Sequence, residues 1–318
     1  MAFFEDNNTT KKVNNSLWVE KYRPSKLTEY VGNEHLKDKV KDYLESGEIP
    51  HLLFFGKAGT GKTTLAKLIV NSIDCDHIII NASDENNVDT VRNKVKGFAS
   101  TVGFKDMKII ILDEFDYMTP NAQAILRNLM ETFSRHCRFI LTCNYVEKVI
   151  SPIRSRTQEF QIVPPTKKDV AVQISQILGK ESVVFQPKDL VPIIDSSYPD
   201  IRKIINTCQL NSSKGQLKLD TTSVIDSDLK SKVVEILKGK DAKPNKWKNI
   251  RQAVADSRTQ DFTELYTFLY EKVDEYGGSN TSNIILILSE SQHKDALVVD
   301  KEITFLTKSL ISDGVFAP

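Results

Sequence analysis

Apolar residues between positions 17 and 163 fall into short runs, and the segments between the runs carry the spacing of amphipathic helices. Such runs predict buried strands, and strands that alternate with helices favour a parallel sheet with helices on both faces. We therefore predict an α/β fold for this part of the chain. The runs that predict strands are Leu52–Phe55, His77–Ile80, Lys108–Leu112, Phe139–Thr142 and Glu159–Ile162.

Beyond Pro164 and Pro165, which break this pattern, the apolar spacing predicts helices only. Helices are expected at Lys167–Leu178 and Ile201–Leu210, and a polar linker follows at 211–223. Further helical segments are expected near 226–238, 246–256, 261–275, 280–291 and 296–311. The chain thus divides into an α/β domain at 1–163 with a loose tail at 1–16, a small helical domain at 164–224 and an all-helical domain at 225–318.

The composition disfavours several classes of protein. Lys and Arg number 43 against 42 Asp and Glu, so binding of polyanions by bulk charge is not indicated, although a local basic face remains open. The four cysteines include no C-x-x-C pair, which disfavours a zinc module or a disulfide framework. The first residues lack the basic segment and the long apolar stretch of a signal peptide, so none is expected. No apolar run approaches the ~18 residues of a membrane span. We expect a soluble, cytoplasmic protein without a membrane partner.

A glycine-rich loop after the first predicted strand carries the most specific motif. Residues 56–63 read Gly-Lys-Ala-Gly-Thr-Gly-Lys-Thr, which is the pattern of a phosphate-binding P-loop between a strand and a helix. Its glycines let backbone N–H groups close on the phosphates, and the helix N-terminus adds a favourable dipole. Lys62 is expected to reach the β- and γ-phosphates of ATP, and Thr63 to hold Mg²⁺. The expected nucleotide contacts are Gly56, Gly59, Thr60, Gly61, Lys62, Thr63 and Thr64.

Four further residues lie at or after the ends of predicted strands and fit hydrolysis of a triphosphate. Asp113 and Glu114 end an apolar strand, as a Walker B pair does: Asp113 would orient Mg²⁺, and Glu114 could polarise the attacking water. Asn144 could face the γ-phosphate or simply form a turn. Arg156 is either a surface charge or, in an oligomer, a finger that reaches into a neighbour's site.

The chain resembles the ATPase subunits of sliding-clamp loaders, in particular the small subunits of replication factor C and their T4-like bacteriophage counterpart. The resemblance covers about residues 17–210. The short chain and the weakly matching last third favour the phage type, which would act in the host cytoplasm. Besides the motifs above, the resemblance rests on Trp18-Val19-Glu20-Lys21-Tyr22-Arg23-Pro24, Asn81-Ala82-Ser83-Asp84, Leu126-Arg127, Met130-Glu131 and Ser155-Arg156.

The resemblance implies an AAA+ fold in which the helical parts form a lid and a collar. It implies a pentamer that contains copies of this chain and at least one other loader subunit, with a sliding clamp and primer–template DNA as partners. ATP binding would drive clamp opening and DNA binding, and hydrolysis would release the clamp on DNA. By resemblance, the adenine lies among Val19, Glu20, Lys21, Tyr22 and Val31.

The same resemblance implies roles for side chains that are far apart in the sequence. Asn144 matches a sensor of the γ-phosphate, and Arg202 in the lid would touch the same group. Arg156 would act in trans on the adjacent subunit. Gln123 and Arg127 lie on the helix that couples neighbouring sites.

A basic segment that begins at Val88 matches the part of the family that follows DNA phosphates. Arg92, Lys94 and Lys96 are therefore expected to make DNA contacts that are independent of sequence and sensitive to salt; the alternative is a solvated helix face. Family members carry Arg or Lys at the position of Asn86, a coupling residue that links DNA to the catalytic Glu. Asn86 can still form hydrogen bonds, but it brings no charge to that link.

Two other functions stay open at this point. One is a helicase-loading or branch-migration AAA+ ATPase, against which the opening motif and the long helical tail both argue. The other is a structural loader subunit that binds nucleotide without hydrolysing it. The joint presence of Lys62, Glu114 and Asn144 argues against that second reading.

Overall fold

The computed structural model describes residues 17–218, 221–239, 243–257, 259, 262–295, 297–298, 301–303 and 305–306. The tail predicted at 1–16 and much of the helix predicted at 296–311 lie outside these residues. The described residues form two compact units, the first within Met1–Phe185 and Ser197–Gln216 and the second within Gln186–Ser196 and Leu217–Pro318. The three-part division at 163 and 224 stays a prediction.

The first unit contains a sheet of parallel strands, which confirms the predicted α/β fold. Its strands are β1 (Leu52–Phe55), β2 (Cys75–Asn81), β3 (Met107–Asp113), β4 (Cys137–Cys143) and β5 (Gln158–Gln161). Their order in the sheet is β2-β3-β4-β1-β5. Each predicted strand is present, and the bounds of β1 coincide with the predicted ones.

Helices account for most of the remaining described residues. Along the chain they are α1 (Trp18–Lys21), α2 (Glu34–Ser46), α3 (Lys62–Ser72), α4 (Val88–Thr90), α5 (Lys96–Ser100), α6 (Pro120–Thr132), α7 (Ser151–Arg154), α8 (Lys167–Lys180), α9 (Pro187–Ser197), α10 (Ile201–Asn211), α11 (Thr221–Lys238), α12 (Lys243–Ser257), α13 (Thr263–Glu271), α14 (Val273–Tyr276) and α15 (Thr281–Asp295). A π-helical turn, Val91–Val95, joins α4 to α5.

Alternating residues of β3 show how the sheet is buried on both faces. Ile109 and Ile111 pack with residues of α2 and α3, whereas Ile110 and Leu112 pack with residues of α5 and α6. Successive side chains of a strand point to opposite faces, so an unbroken apolar run is what a strand covered on both faces requires. Both cores therefore follow from one short sequence.

The order of the strands places the carboxyl ends of β1, β4 and β3, and the loops that follow them, next to one another. β1 pairs with β4 from Leu52 to Phe55, and β4 pairs with β3 from Cys137 to Leu141. All three strands are parallel, so their carboxyl ends meet at one edge of the sheet. The P-loop, the Asp113–Glu114 pair and Asn144 follow these three ends.

The second unit has its own core of helices. Phe262 and Phe305 stack with ring centroids 4.9 Å apart, and Tyr266 meets Phe305 edge to face at 5.6 Å. The helix predicted at 261–275 is divided at Lys272 into α13 and α14.

The predicted polar linker at 211–223 is only partly irregular. It contains the two-residue strands β6 (Ser212–Ser213) and β7 (Gln216–Leu217) as well as the start of α11. Among the described helices, none combines the length and the apolar character that crossing a membrane requires.

Candidate active site

The P-loop owes its shape to glycines that no other residue could replace without strain. Gly59 and Gly61 have φ angles of 71° and 96°, in the left-handed region that favours glycine. A Cβ on Gly59 would lie 2.0 Å from the Asp200 carboxylate, and one on Gly61 would lie 3.0 Å from the ring of Tyr30. The loop is thus enclosed by Tyr30 on one side and by the start of α10 on the other.

Lys62 is the buried cation of the loop, with a relative exposure of 8%. Its Nζ donates to the carbonyl oxygens of Gly56 and Lys57 at 2.9 and 2.8 Å, and to Asn144 Oδ1 at 2.7 Å. Burial lowers the pKa of Lys62 from its ordinary value, and nearby acidic groups, including Asp113, oppose that shift. The ammonium is therefore held by neutral oxygens in a position where phosphate oxygens could replace them.

Thr63 and Asp113 form a pair of oxygen donors beside this lysine. Thr63 Oγ1 donates to Asp113 Oδ1 at 2.7 Å, and Thr142 Oγ1 donates to the same carboxylate oxygen. Hydroxyl and carboxylate oxygens are the ligands that Mg²⁺ takes in nucleotide sites, where it keeps several waters. The donor set therefore fits a magnesium ion.

Glu114 lines the cleft and has an unusual backbone conformation. Its φ of 55° is unusual for a residue other than glycine, and its amide donates to Thr142 Oγ1 at 3.2 Å. Thr142 thus holds both acidic residues, one through the side chain and one through the main chain. Glu114 lines the same cleft as Lys62 and Asp113.

The cleft is completed by α1 and by α10. The amide of Ile201, the first residue of α10, donates to the carbonyl oxygen of Gly59 at 3.3 Å, and Asp200 caps the helix by accepting from the Lys203 amide at 3.0 Å. Residues of the P-loop, α1, α8 and α10 line this cleft together.

Most of the predicted nucleotide contacts lie together in this cleft. Those that line it are Val19, Tyr22, Val31, Gly59, Thr60, Gly61, Lys62, Thr63, Thr64, Asn144 and Arg202. The predicted metal ligand Asp113 and the predicted catalytic residue Glu114 line it as well. Gly56, which was also predicted as a contact, does not line the cleft, but its carbonyl group accepts from Lys62.

Two residues predicted at the adenine do not line the cleft, because other partners hold them. Glu20 is exposed and accepts from Arg23, whose hydrogen bond is the main cause of a lowered pKa at Glu20. Lys21 donates to Glu181 at 2.6 Å, and Tyr22 donates to the same oxygen through its hydroxyl at 2.6 Å. Lys21 therefore ties α1 to the end of α8 and does not face the cleft.

Arg156 also lies outside the cleft of its own chain. Its guanidinium donates to Glu131 at 2.7 Å and to the carbonyl oxygen of Pro152 at 2.7 Å. Neither of these partners lines the nucleotide cleft.

The predicted coupling residues belong to one connected region of the first unit. Gln123 in α6 is buried and bonds to the carbonyl groups of Met118 and Lys148 and to the amide of Ile150. Arg127, one turn further along α6, donates to Asn128. The side chain of Asn86 is exposed, and its carbonyl oxygen accepts from the Thr119 amide at 3.1 Å.

The predicted DNA contacts are exposed side chains on a buried helical scaffold. Arg92, Lys94 and Lys96 point outward, whereas Val91 and Val95 are fully buried. Lys94 forms an ion pair with Glu85.

Sequence reasoning missed several residues that line the cleft. They are Arg23, Pro24, Tyr30, Ala58, Thr142, Cys143, Gln173, Ile201 and Ile205. Ala58 lies within the P-loop, and Thr142 lies in the strand that precedes Asn144, so both could have been found from position alone. Gln173 and Ile205 are ordinary helix residues and carry no local signal.

Comparison with known proteins places this site in a family. Residues 52–165 match the model of the ATPase family associated with various cellular activities, AAA. The chain is similar to a replication factor C small subunit from Sulfolobus acidocaldarius, at 43% identity over 64% of this chain and 65% of the relative. A replication factor C small subunit from Methanococcus vannielii is 34% identical over 92% of this chain and 90% of the relative. The chain thus spans just under two thirds of the length of the Sulfolobus relative.

Solved structures support the fold. The Thermotoga maritima RuvB Holliday junction branch migration motor superposes with a TM-score of 0.55 over 79% of this chain and 91% of that structure, at 17% identity. At this identity the likeness concerns the fold alone. The relatives named here are proteins of Sulfolobus and Methanococcus, so the comparisons do not support the phage type that the short chain suggested.

Proposed function

Because the chain belongs to the replication factor C small-subunit family and carries the AAA ATPase fold, we propose that it is an ATPase subunit of a sliding-clamp loader. The family predicted from the sequence is thereby confirmed, and the activity and partners are proposed. The observation that supports hydrolysis best is the convergence of Lys62 on Asn144 and of Thr63 on Asp113, each at 2.7 Å.

The proposed chemistry is attack of water on the γ-phosphate of ATP. Lys62 and Arg202 would bind phosphate oxygens, and Asn144 would sense the γ-phosphate from the end of β4. Glu114, which lines the cleft, would orient the attacking water. Thr63 and Asp113 would hold Mg²⁺, which neutralises charge on the phosphates when it is bound.

Arg156 is proposed to act on a neighbouring subunit. It does not line the cleft of its own chain, and its present partner, Glu131, is exposed, so the pair can be exchanged at low cost. An arginine that reaches a γ-phosphate from outside typically raises the rate by ~10³–10⁵.

The proposed partners are a sliding clamp, primer–template DNA, and copies of this chain with at least one other subunit in a pentamer. ATP binding would open the clamp and admit DNA, and hydrolysis would release the clamp on DNA. The family resemblance also implies clamp contacts around Phe98–Phe104, and Phe104 is 98% exposed. Arg92, Lys94 and Lys96 would contact DNA phosphates, and Asn86, Gln123 and Arg127 would couple DNA to catalysis. The cytoplasmic location stays a prediction.

A steady-state ATPase assay, with and without clamp and primed DNA, tests this function. We expect turnover that clamp and DNA stimulate together, and that Glu114→Gln abolishes while Mg²⁺-dependent ATP binding remains. Lys62→Ala should lose nucleotide binding or hydrolysis in a folded protein. Glu45→Gln, which removes an exposed carboxylate of α2, is the matched control.

Each alternative has its own outcome in this assay. ATP binding without turnover under any condition would indicate a structural subunit. Turnover that responds to DNA but never to a clamp would indicate a helicase loader or a branch-migration motor. Turnover by Glu114→Gln at the parental rate would show that the base lies elsewhere.

A further inference from the structure

The cleft extends from the P-loop toward α1, and α10 spans this distance. Its first residue, Ile201, bonds to Gly59 in the P-loop, whereas Gln209 near its far end accepts from the Trp18 amide at 2.9 Å. Eight residues of helix separate these two contacts, or about 12 Å at ~1.5 Å per residue. A triphosphate on the P-loop would therefore place its base toward α1 and α8.

Apolar and aromatic side chains line this far part of the cleft, as suits a flat base. Val19 lies in α1, Tyr22 directly follows that helix, and Ile205 lies one turn along α10 from Ile201. Phosphates are common to all nucleoside triphosphates, so the P-loop cannot distinguish one base from another. Any choice of base must come from polar groups at this end.

Gln173 of α8 is a polar side chain that lines the cleft among these apolar residues. It lies on the buried stripe of its helix, since Val170 precedes it by three residues and Ile177 follows it by four. Its Oε1 is buried, and among the described residues it has no hydrogen-bond partner. A buried amide oxygen without a partner costs free energy, and such atoms are rare in native proteins. A ligand in the cleft could supply the missing donor.

We propose that Gln173 selects adenine, with its Oε1 accepting a hydrogen bond from the exocyclic N6 amino group. This inference rests on the proposed function, because it takes the cleft to be the triphosphate site. Adenine offers an amino donor beside a ring nitrogen acceptor, which complements the oxygen and the NH₂ of a glutamine amide. Guanine carries the O6 acceptor in place of the amino group, so its O6 would lie against Gln173 Oε1 with no hydrogen between the two oxygens.

Competition binding to the full chain, with Mg²⁺ and a ribose-labelled fluorescent ATP as the displaced probe, tests this proposal. The competitors are ATP, GTP and purine riboside triphosphate, which differs from ATP only by lacking the N6 amino group. We expect wild type to bind the purine analogue about 3- to 10-fold more weakly than ATP, as loss of one hydrogen bond predicts. Gln173→Leu should bind ATP and the analogue equally. Gln176→Leu, an exposed position of the same helix, should keep the wild-type ratio.

Gln173→Glu provides a second test that does not depend on the leucine variant folding. Its carboxylate keeps the acceptor but repels the triphosphate, so both affinities should fall while ATP stays preferred over the analogue. The ratio of the two affinities is the readout, because the added charge affects both nucleotides alike.

Several outcomes would overturn the proposal, and they differ from failure of the proposed function. If the wild-type protein binds ATP and the purine analogue equally, the protein does not recognise the N6 amino group. A Gln173→Leu protein that keeps the preference would show that other groups read the base. If wild type binds none of the three triphosphates, the proposed function fails and the inference fails with it.

Discussion

Replacing Gln123 by Leu should destabilise the first unit by about 3 kcal/mol, because three backbone groups lose a hydrogen-bond partner. Gln123 is 1% exposed. Its Nε2 donates to the carbonyl oxygens of Met118 and Lys148 at 3.0 and 3.1 Å, and its Oε1 accepts from the Ile150 amide at 3.0 Å. Leucine is similar in size, so little cavity forms, and three lost bonds at about 1 kcal/mol each give the estimate.

The two tryptophans allow this loss to be measured in the right unit. Trp18 lies in the first unit and Trp247 in the second, so a probe that reports on both would mix two transitions. In a Trp247→Phe background, urea unfolding followed by the fluorescence of Trp18 reports on the first unit. Hydrogen exchange of the Ile150 amide gives a local readout, since this N–H is the donor that Gln123 satisfies.

Gln176→Leu in α8 is the matched control, because it makes the same chemical change at an exposed position of the same unit. Its free energy of unfolding should stay within about 0.5 kcal/mol of the parent. A loss smaller than about 1 kcal/mol in Gln123→Leu, or unchanged exchange at Ile150, would refute the reasoning, because the three bonds would then not be made in solution.

Three further predictions concern pH, catalysis and DNA. His51 accepts the Phe139 amide at 3.2 Å, and burial lowers its pKa from 6.5 to about 4. As the pH falls, the unfolded chain takes up the proton before the folded chain does, so the free energy of unfolding should have its full value above about pH 6.5 and fall by up to about 3 kcal/mol toward pH 4. His51→Asn should remove that fall. Plots of unfolding free energy against pH that run parallel for the variant and the parent would contradict the prediction. Arg156→Ala should lower turnover of the assembly while ATP binding is unchanged, and mixing with Lys62→Ala subunits should restore some activity; no recovery in verified mixed assemblies would argue against action in trans. Arg92→Ala should weaken binding of primed DNA equally for all sequences and reduce the slope of log affinity against log salt concentration by about 1. Asn86→Ala, which removes no charge, should leave that slope unchanged. The reverse result in a salt titration would exchange the roles of the two residues.

Local patterns in the sequence were enough to predict the sheet and the phosphate-binding loop. A strand covered on both faces needs a continuous apolar run, so Lys108–Leu112 indicated the strand found at Met107–Asp113. The P-loop is likewise local, since its glycines and Lys62 act within one short turn. The fold class and the family were predictable because their determinants lie in neighbouring residues.

Residues that depend on contacts between distant segments could not be predicted in this way. Tyr30 closes on Gly61, and Asp200 approaches Gly59, only because separate elements meet at the P-loop. Lys21 was expected at the adenine but binds Glu181, which is 160 residues away in sequence. Helix position alone does not tell which residue faces a cleft, so Gln173 became visible only in the structure.

The contacts of α6 suggest a link between the proposed DNA contacts and Arg156, the proposed finger, and a double-mutant cycle can measure that link. The loop before Arg92 bonds to the start of α6 through the carbonyl oxygen of Asn86, and Gln123 in α6 holds the amide of Ile150, just before the helix that leads to Arg156. The bond at Asn86 uses the main chain, so the missing charge of that side chain does not interrupt this path.

A chain of contacts does not by itself show energetic coupling, which requires that changes at both ends shift the same conformational equilibrium. We therefore expect Arg92→Ala and Gln123→Leu to be non-additive in DNA-stimulated ATPase rate, with a coupling free energy of about 0.5–2 kcal/mol. The control cycle pairs Arg92→Ala with Gln176→Leu, which lies on the exposed face of α8 and should add independently. Equal coupling in the two cycles would show that α6 carries no signal, and that DNA acts on the site by another route.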